Sequence, residues 1–563
     1  MSPRAGRVTR RSGHAAADRL PVPSADRPAA DQMTDVVVVG SDPGALAAAI
    51  ACRQAGWEVL VAEPTGLLGG DAAHGAGQLW LPGNPGIPAD DYAHARDYFD
   101  RVVGDFEPAS SAPRRHAFLT GTGGLAVWLA ALGVGLRPDT VGDHHPEVPG
   151  GLAAGRVLVP QPEDATAIGR LAELLPAGAA SGSEGLLDRL EQLARQSGSR
   201  ARGHRLVFGG AALTSQLLAA CQRLQVNLWW DAPVQRLLTA AGAAGRRVTG
   251  VIVRRGHRLV RVLTGRGVVL GQGGYGGDAR ARRDFLPQPT RPAWSLGVPR
   301  TAGVTQLAWA AELGLLTAGL DGAWWRPALW KPSGGVWDGT AALAAPHGFV
   351  VDVTGRRFAN EAASGSDFCR ALFGRARELG PGAVPAWLIL DAEHRRRVAL
   401  AGYAPGRTPS SADRSGVLPR ARSLPELAWR IKVDAAGLQG TAERFDEFAS
   451  SGVDADFARG MSAADAARGE RGHRPNPCLG AVRRSPFYAI RVVPGDLGTK
   501  GGLLTDEQHR VLRPDGPQPG LWAIGSAAAS VTGPADPAPG AGLAEAMVAG
   551  RACAASITLA ADG

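Results

Sequence analysis

Hydrophobic and polar positions change their period sharply along this chain, and the changes mark its elements. Residues 36–39 are an unbroken β-branched run without alternation, the pattern of a strand buried on both faces of a parallel sheet. Gly40-Ser41-Asp42-Pro43-Gly44 predicts a tight turn, and the alanine-rich run after it predicts a helix packed close on that sheet. Residues 57–62 read as a second strand, ending at Glu63. Helical spacing marks residues 91–103, 117–132 and 209–224. Residues 226–230 read as a strand, 246–253 as part of a hairpin, and 267–270 as a strand running into Gly271-Gln272-Gly273-Gly274. Texture changes at Gly322; beyond it we expect strands at 348–353 and 387–390 and helices at 424–431 and 440–450. Glycine-rich turns return from Pro494, followed by a short strand at 520–524 and a last helix from Pro539-Gly540 to Leu559.

The first stretch carries a chemical reading. Strand, glycine turn and helix is the arrangement in which a dinucleotide's pyrophosphate meets a helix N-terminus. An acid at Glu63, closing the second strand, can bond a ribose hydroxyl. Against the G-x-G-x-x-G/A pattern the positions are Gly40, Asp42 and Ala45. Asp42 breaks it, because a side chain adds bulk and a carboxylate repels phosphate.

Composition narrows the class. The chain of 563 residues has room for more than one domain, and 77 glycines with 41 prolines imply many turns. The net charge of +9 is almost all arginine, with lysine only at Lys331, Lys432 and Lys500. The arginines are dispersed and form no basic tract with aromatics, so we expect a solvated basic surface and no nucleic-acid partner. Five cysteines without a C-x-x-C pair fit reduced thiols in a cytoplasmic protein, with no metal site. No uninterrupted apolar run has the ~18 residues of a membrane span. Residues 1–32 read as a disordered basic extension without a secretory pattern, and Met33 could serve as an alternative start.

Taken in order, residues 77–84, 322–327, 355–361, 475–477, 487–488 and above all 494–506 resemble the 3-ketosteroid Δ1-dehydrogenases, within the fumarate reductase and succinate dehydrogenase flavoprotein superfamily. That resemblance implies an α/β fold: a Rossmann-like FAD-binding domain in two segments, 33–320 and 495–563, with an inserted α+β catalytic domain at 321–494. It implies FAD, held by Gly40, Ser41, Asp42, Ala45, Glu63, Gly69, Gly70, Asp71, Gly75, Gly77, Val234, Gly273, Gly525, Gly542 and Leu543. It implies a small apolar, steroid-like ketone as substrate and an external electron acceptor. The family removes a proton and a hydride from neighbouring carbons beside a ketone, using tyrosine hydroxyls and a backbone N–H.

This sequence departs from that pattern. By resemblance the tyrosine positions fall at Gly365 and Ala538, and a supporting one at His144-His145. Gly542 keeps the backbone donor, and His145 becomes the candidate acid/base, since imidazole titrates near neutral pH. Changing Gly365→Tyr and Ala538→Tyr together is then expected to restore some activity, if FAD is bound and both rings fit. Two readings follow: an FAD-dependent oxidoreductase with altered catalytic groups, or a catalytically impaired relative that binds flavin, a ligand or a partner.

Overall fold

The computed structural model describes residues 29–88, 90–176, 198, 203–242, 245–298, 302–331 and 334–562. The first 28 residues of the expected extension lie outside that description, but residues 29–32 belong to a strand.

The valine run is the centre of the first sheet. It ends β1 (Ala29–Val39), where Val36, Val37 and Val38 have no exposed surface. Helix α1 (Pro43–Gln54) follows, then β2 (Val59–Ala62), helix α2 (Gly209–Arg223), β3 (Asn227–Trp229), β4 (Val234–Gly242), β5 (Gly245–Arg255) and β6 (Arg258–Leu270). β1 pairs in parallel with β2 (Val36 with Val59) and with β6 (Val36 with Gly267), and β3 extends the sheet beyond β2. The hairpin strands β4 and β5 pair antiparallel beside β6.

The second sheet is antiparallel. It contains β7 (Ala323–Trp330), β8 (Val336–Asp338), β9 (Gly348–Val351), β10 (Ala386–Leu390), β11 (Arg420–Ala421) and β12 (Phe487–Thr499). Helix α3 (Gly365–Leu379) packs on β7 and β12. The boundary expected at 494 falls inside β12, which stays paired with β7 to Thr499. A buried carboxylate braces this unit: Glu361 bonds Arg357 at 2.7 Å and Arg459 at 3.1 Å. The 355–361 stretch of the resemblance is thus structural.

The chain then returns to the first sheet. β13 (Arg510–Arg513) and β14 (Gly516–Ala523) complete it, with β14 parallel to β6 (Ala523 with Leu270). Last comes α4 (Ala541–Asp562), which lies against α1. Small residues allow that approach: a Cβ on Gly44 would stand 2.8 Å from the Ala546 carbonyl oxygen, and one on Gly550 would overlap the Gly44 carbonyl. Residues 541–560 are the one described helix with the length and apolar composition of a membrane span, with mean hydropathy 1.3 and half of the stretch buried. The spread of burial over α1 and α4 explains why the alanine run carries almost no polar face: α1 is buried from Pro43 to Cys52.

Candidate active site

Four parallel strands deliver their C-terminal ends to one cleft. Beyond β1 stand Ser41 and Asp42, beyond β2 Glu63, beyond β6 Gly271, Gln272 and Gly273, and beyond β14 Gly525 and Ser526. Ligands of open α/β sheets bind at this edge. Gly70, Asp71, Gly75 and Gly77 form one side, and Gly542 and Leu543, at the start of α4, form another. Gly40, Ala45 and Gly69 make the layer beneath. A Cβ on Gly40 would overlap the Gly271 carbonyl, and Ala45 Cβ stands 3.2 Å from where one on Gly271 would lie. The Gly69 N–H donates to Ser41 Oγ at 3.0 Å. Val234 is outside the wall, buried at the start of β4; its neighbour Ala232 donates to the Glu63 carbonyl at 2.9 Å.

Glu63 is fixed before any ligand arrives. Ser41 Oγ donates to its Oε2 at 2.7 Å, and the Thr65 N–H donates to its Oε1 at 2.9 Å. Asp42 caps α1, its Oδ1 accepting from the Ala45 N–H at 2.9 Å. Its other oxygen lies 3.6 Å from the place of a Cβ on Gly525. The misfit read from the sequence is therefore a carboxylate standing in the cleft at a helix N-terminus, where it gains from the helix dipole.

A second wall of the cleft is chemical. It carries Trp324 and Arg326 from β7, and Asp536 and Ala538 from the loop before α4. Asp536 is 7% exposed. His144 Nε2 lies 3.6 Å from its Oδ2, and Arg468 donates to His144 Nδ1 at 2.6 Å. Since arginine only donates, Nδ1 must accept, which leaves the proton of the neutral ring on Nε2 toward Asp536. Burial pushes the His144 pKa down to about 4, so the ring is neutral at pH 7. Burial alone would raise Asp536, but His144, Arg326 and Lys500 outweigh it and keep the carboxyl below its ordinary value. Lys500 holds the loop beneath, donating to Thr532 Oγ1 at 2.9 Å and to the Gly533 and Ala535 carbonyls. Its ammonium also sits 3.8 Å from the centre of the Trp324 ring.

Two expectations are corrected here. His145 does not reach the cleft: its Nε2 pairs with Asp367 at 3.2 Å, at the start of α3, and that hydrogen bond raises its pKa. The turn before it is buried around Asp143 and His144, because Asp143 pairs with the buried Arg156 at 2.7 Å. Gly365 does not face the cleft either. It is the first residue of α3, and a Cβ there would stand 2.6 Å from the Trp325 carbonyl oxygen and 3.0 Å from Arg326 Cδ. Sequence reasoning singled out neither Asp536 nor Gln272 as a site residue. Asp536 sits in a Pro/Ala-rich loop without a recognisable spacing, and Gln272 hid inside a glycine cluster.

Comparison with known proteins agrees with this geometry. The family model described as "FAD binding domain" matches residues 35–543. A 3-oxosteroid 1-dehydrogenase of Mycolicibacterium smegmatis is 32% identical, over 93% of this chain and 97% of its own. The structure of a 3-ketosteroid Δ1-dehydrogenase from Sterolibacterium denitrificans, in complex with 1,4-androstadiene-3,17-dione, superposes with a TM-score of 0.87 at 32% identity, covering 94% of this chain and 100% of that one. The chain belongs to the 3-ketosteroid Δ1-dehydrogenase family of FAD-binding flavoproteins. A further relative at 32% identity, over 92% of this chain and 91% of its own, is a 4-oxocyclohexanecarboxylate 2-dehydrogenase of Sinomonas cyclohexanicum.

FAD is the cofactor of this family, and the cleft has a place for it. Gln272 is 6% exposed, lines the cleft, and both its amide nitrogen and its amide oxygen lack a hydrogen-bond partner among the described residues. A buried amide in that state is open to a group bound in the cleft. Glu63, already oriented by Ser41 and Thr65, suits a ribose hydroxyl, and the start of α4 suits negative charge. Asp42 puts a carboxylate at the N-terminus of α1, in the same cleft.

Proposed function

We propose that this flavoprotein oxidises a carbon–carbon bond beside the carbonyl of a cyclic ketone, the chemistry named for its steroid and oxocyclohexane relatives. One observation carries the reading: a buried carboxylate, Asp536, lines the same cleft as the FAD cradle and the Gly542 N–H. FAD, when bound, supplies the acceptor for the hydride. Asp536 takes the proton from the carbon next to the carbonyl, as an aspartate does in other enzymes that enolise ketones. His144, neutral and held by Arg468, faces that carboxylate at 3.6 Å, and the charges of Arg326 and Lys500 favour its ionised form. The N-terminal end of α4 at Gly542 faces the enolate charge that develops on the carbonyl oxygen. Trp324 lies across that helix end; a Cβ on Gly542 would overlap its indole, so glycine is required there. By the resemblance, Gly365 and Ala538 would fall where the family pattern has tyrosines, and neither can donate or accept through a hydroxyl.

The test is anaerobic mixing of FAD-loaded protein with a 3-ketosteroid and with simple cyclic ketones. Loss of the oxidised flavin's visible absorbance is the expected result. A flavin that stays oxidised with every ketone defeats the proposal and favours the second reading, a flavin- and ligand-binding protein without turnover. That second reading draws on Ala538, which offers no hydroxyl to polarise a carbonyl, and on Asp42.

A further inference from the structure

We propose that the ring this site accepts carries a carboxylate, and that Arg326 holds it. The proposal rests on the reading of the cleft as a cyclic-ketone site. Arg326 is half-buried in the cleft wall, and among the described residues it makes no hydrogen bond or ion pair. A guanidinium in that position has lost part of its hydration and has only the more distant charge of Asp536 in return, with no hydrogen bond. The other cations of this wall are committed. Lys500 donates to one hydroxyl and two carbonyls, and Arg468 donates to His144 and to the Ala362 carbonyl at 2.9 Å.

Arg326, Arg468 and Lys500 stand near Asp536, Asp465 and Glu545, with Asp465 3.7 Å from Arg468, and of these cations Arg326 is the one that lines the open space. Its planar fork matches a carboxylate in bidentate geometry. Trp324, Leu296 and Leu497 line the same space and give the ring body an apolar surface. A second anion held on Arg326 also raises the basicity of Asp536 beside it, the direction that proton abstraction needs.

The test is calorimetry on the FAD-loaded protein with 4-hydroxybenzoate and its methyl ester. The phenol mimics the enol, and neither probe has a hydrogen pair to lose, so binding is read without turnover. The acid is expected to bind about 10- to 100-fold more tightly than the ester. Arg326→Met should erase that ratio and Arg326→Lys should keep part of it. An ester that binds the wild type as tightly as the acid overturns the proposal, with no variant needed; so does a preference that survives in Arg326→Met. Flavin reduction by neutral ketones without an acid preference in binding would leave the oxidation reading standing and remove this one. An acid preference with no flavin reduction by any ketone would do the reverse.

Discussion

Asp42 does two things at once, and they pull in opposite directions. It caps α1 through Ala45, and it stands a carboxylate in the cleft that we propose takes FAD's pyrophosphate. Asp42→Gly should cost only a few tenths of a kcal/mol in stability, because glycine is itself a tolerated cap. The same change should tighten FAD binding by about tenfold or more, since a like charge leaves a partly buried site. Titration of the apoprotein with FAD, beside a thermal melt, checks both; unchanged or weaker FAD binding contradicts the account. The histidines give a second residue-level prediction. Burial pushes His144, His394 and His509 down to about 4, about 4 and about 3. Below about pH 6.5 the unfolded chain takes up protons that these folded rings refuse, so stability falls as pH drops from there toward 4. Each ring contributes up to about 1.4 kcal/mol per pH unit, partly offset by Asp143 and Glu545, which burial raises. Urea midpoints across pH 7 to 5 should show this slope, and His394→Gln should flatten it by about one proton. A slope unchanged in that variant would contradict the assignment.

At the scale of elements, α3 decides what can be rebuilt. The resemblance suggested that Gly365→Tyr with Ala538→Tyr would restore activity, but Gly365 packs on the β7 backbone. Even Gly365→Ala must shift the helix start or the Trp325 carbonyl, at a cost of about 1–3 kcal/mol. Gly365→Tyr should lower the melting temperature and the soluble yield and restore nothing; a stable, active Gly365→Tyr protein would show that α3 is placed wrongly. Most elements were legible because their patterns were extreme. The valine run could only be a doubly buried strand, and glycine after each parallel strand marked the ligand edge. The buried Asp143–His144 turn was not legible, because its polarity is satisfied by Arg156 and Arg468, which come from other parts of the chain. Strand β12 was cut short in the reading because its Pro494-Gly495 resembles a turn, while its ladder with β7 carries it through.

For the whole molecule, two sheets meet at one cleft, and the chain crosses between them twice. The first sheet presents its strand ends and Gln272; β7 of the second presents Trp324 and Arg326 to the same space. The glycine-rich strand ends of the cleft were readable from short-range motifs, whereas Asp536, His144, Arg326 and Arg468 are far apart in sequence and meet only through the fold. Assigning the proton to Asp536 and not to His145 is the central claim. Its direct test is the rate of anaerobic flavin reduction by a cyclic ketone in the wild type, in Asp536→Asn and in His145→Ala. The account predicts a loss of about 10²–10⁴ in Asp536→Asn and a rate near the wild type in His145→Ala. A wild-type rate in Asp536→Asn, or a large loss in His145→Ala alone, would contradict it.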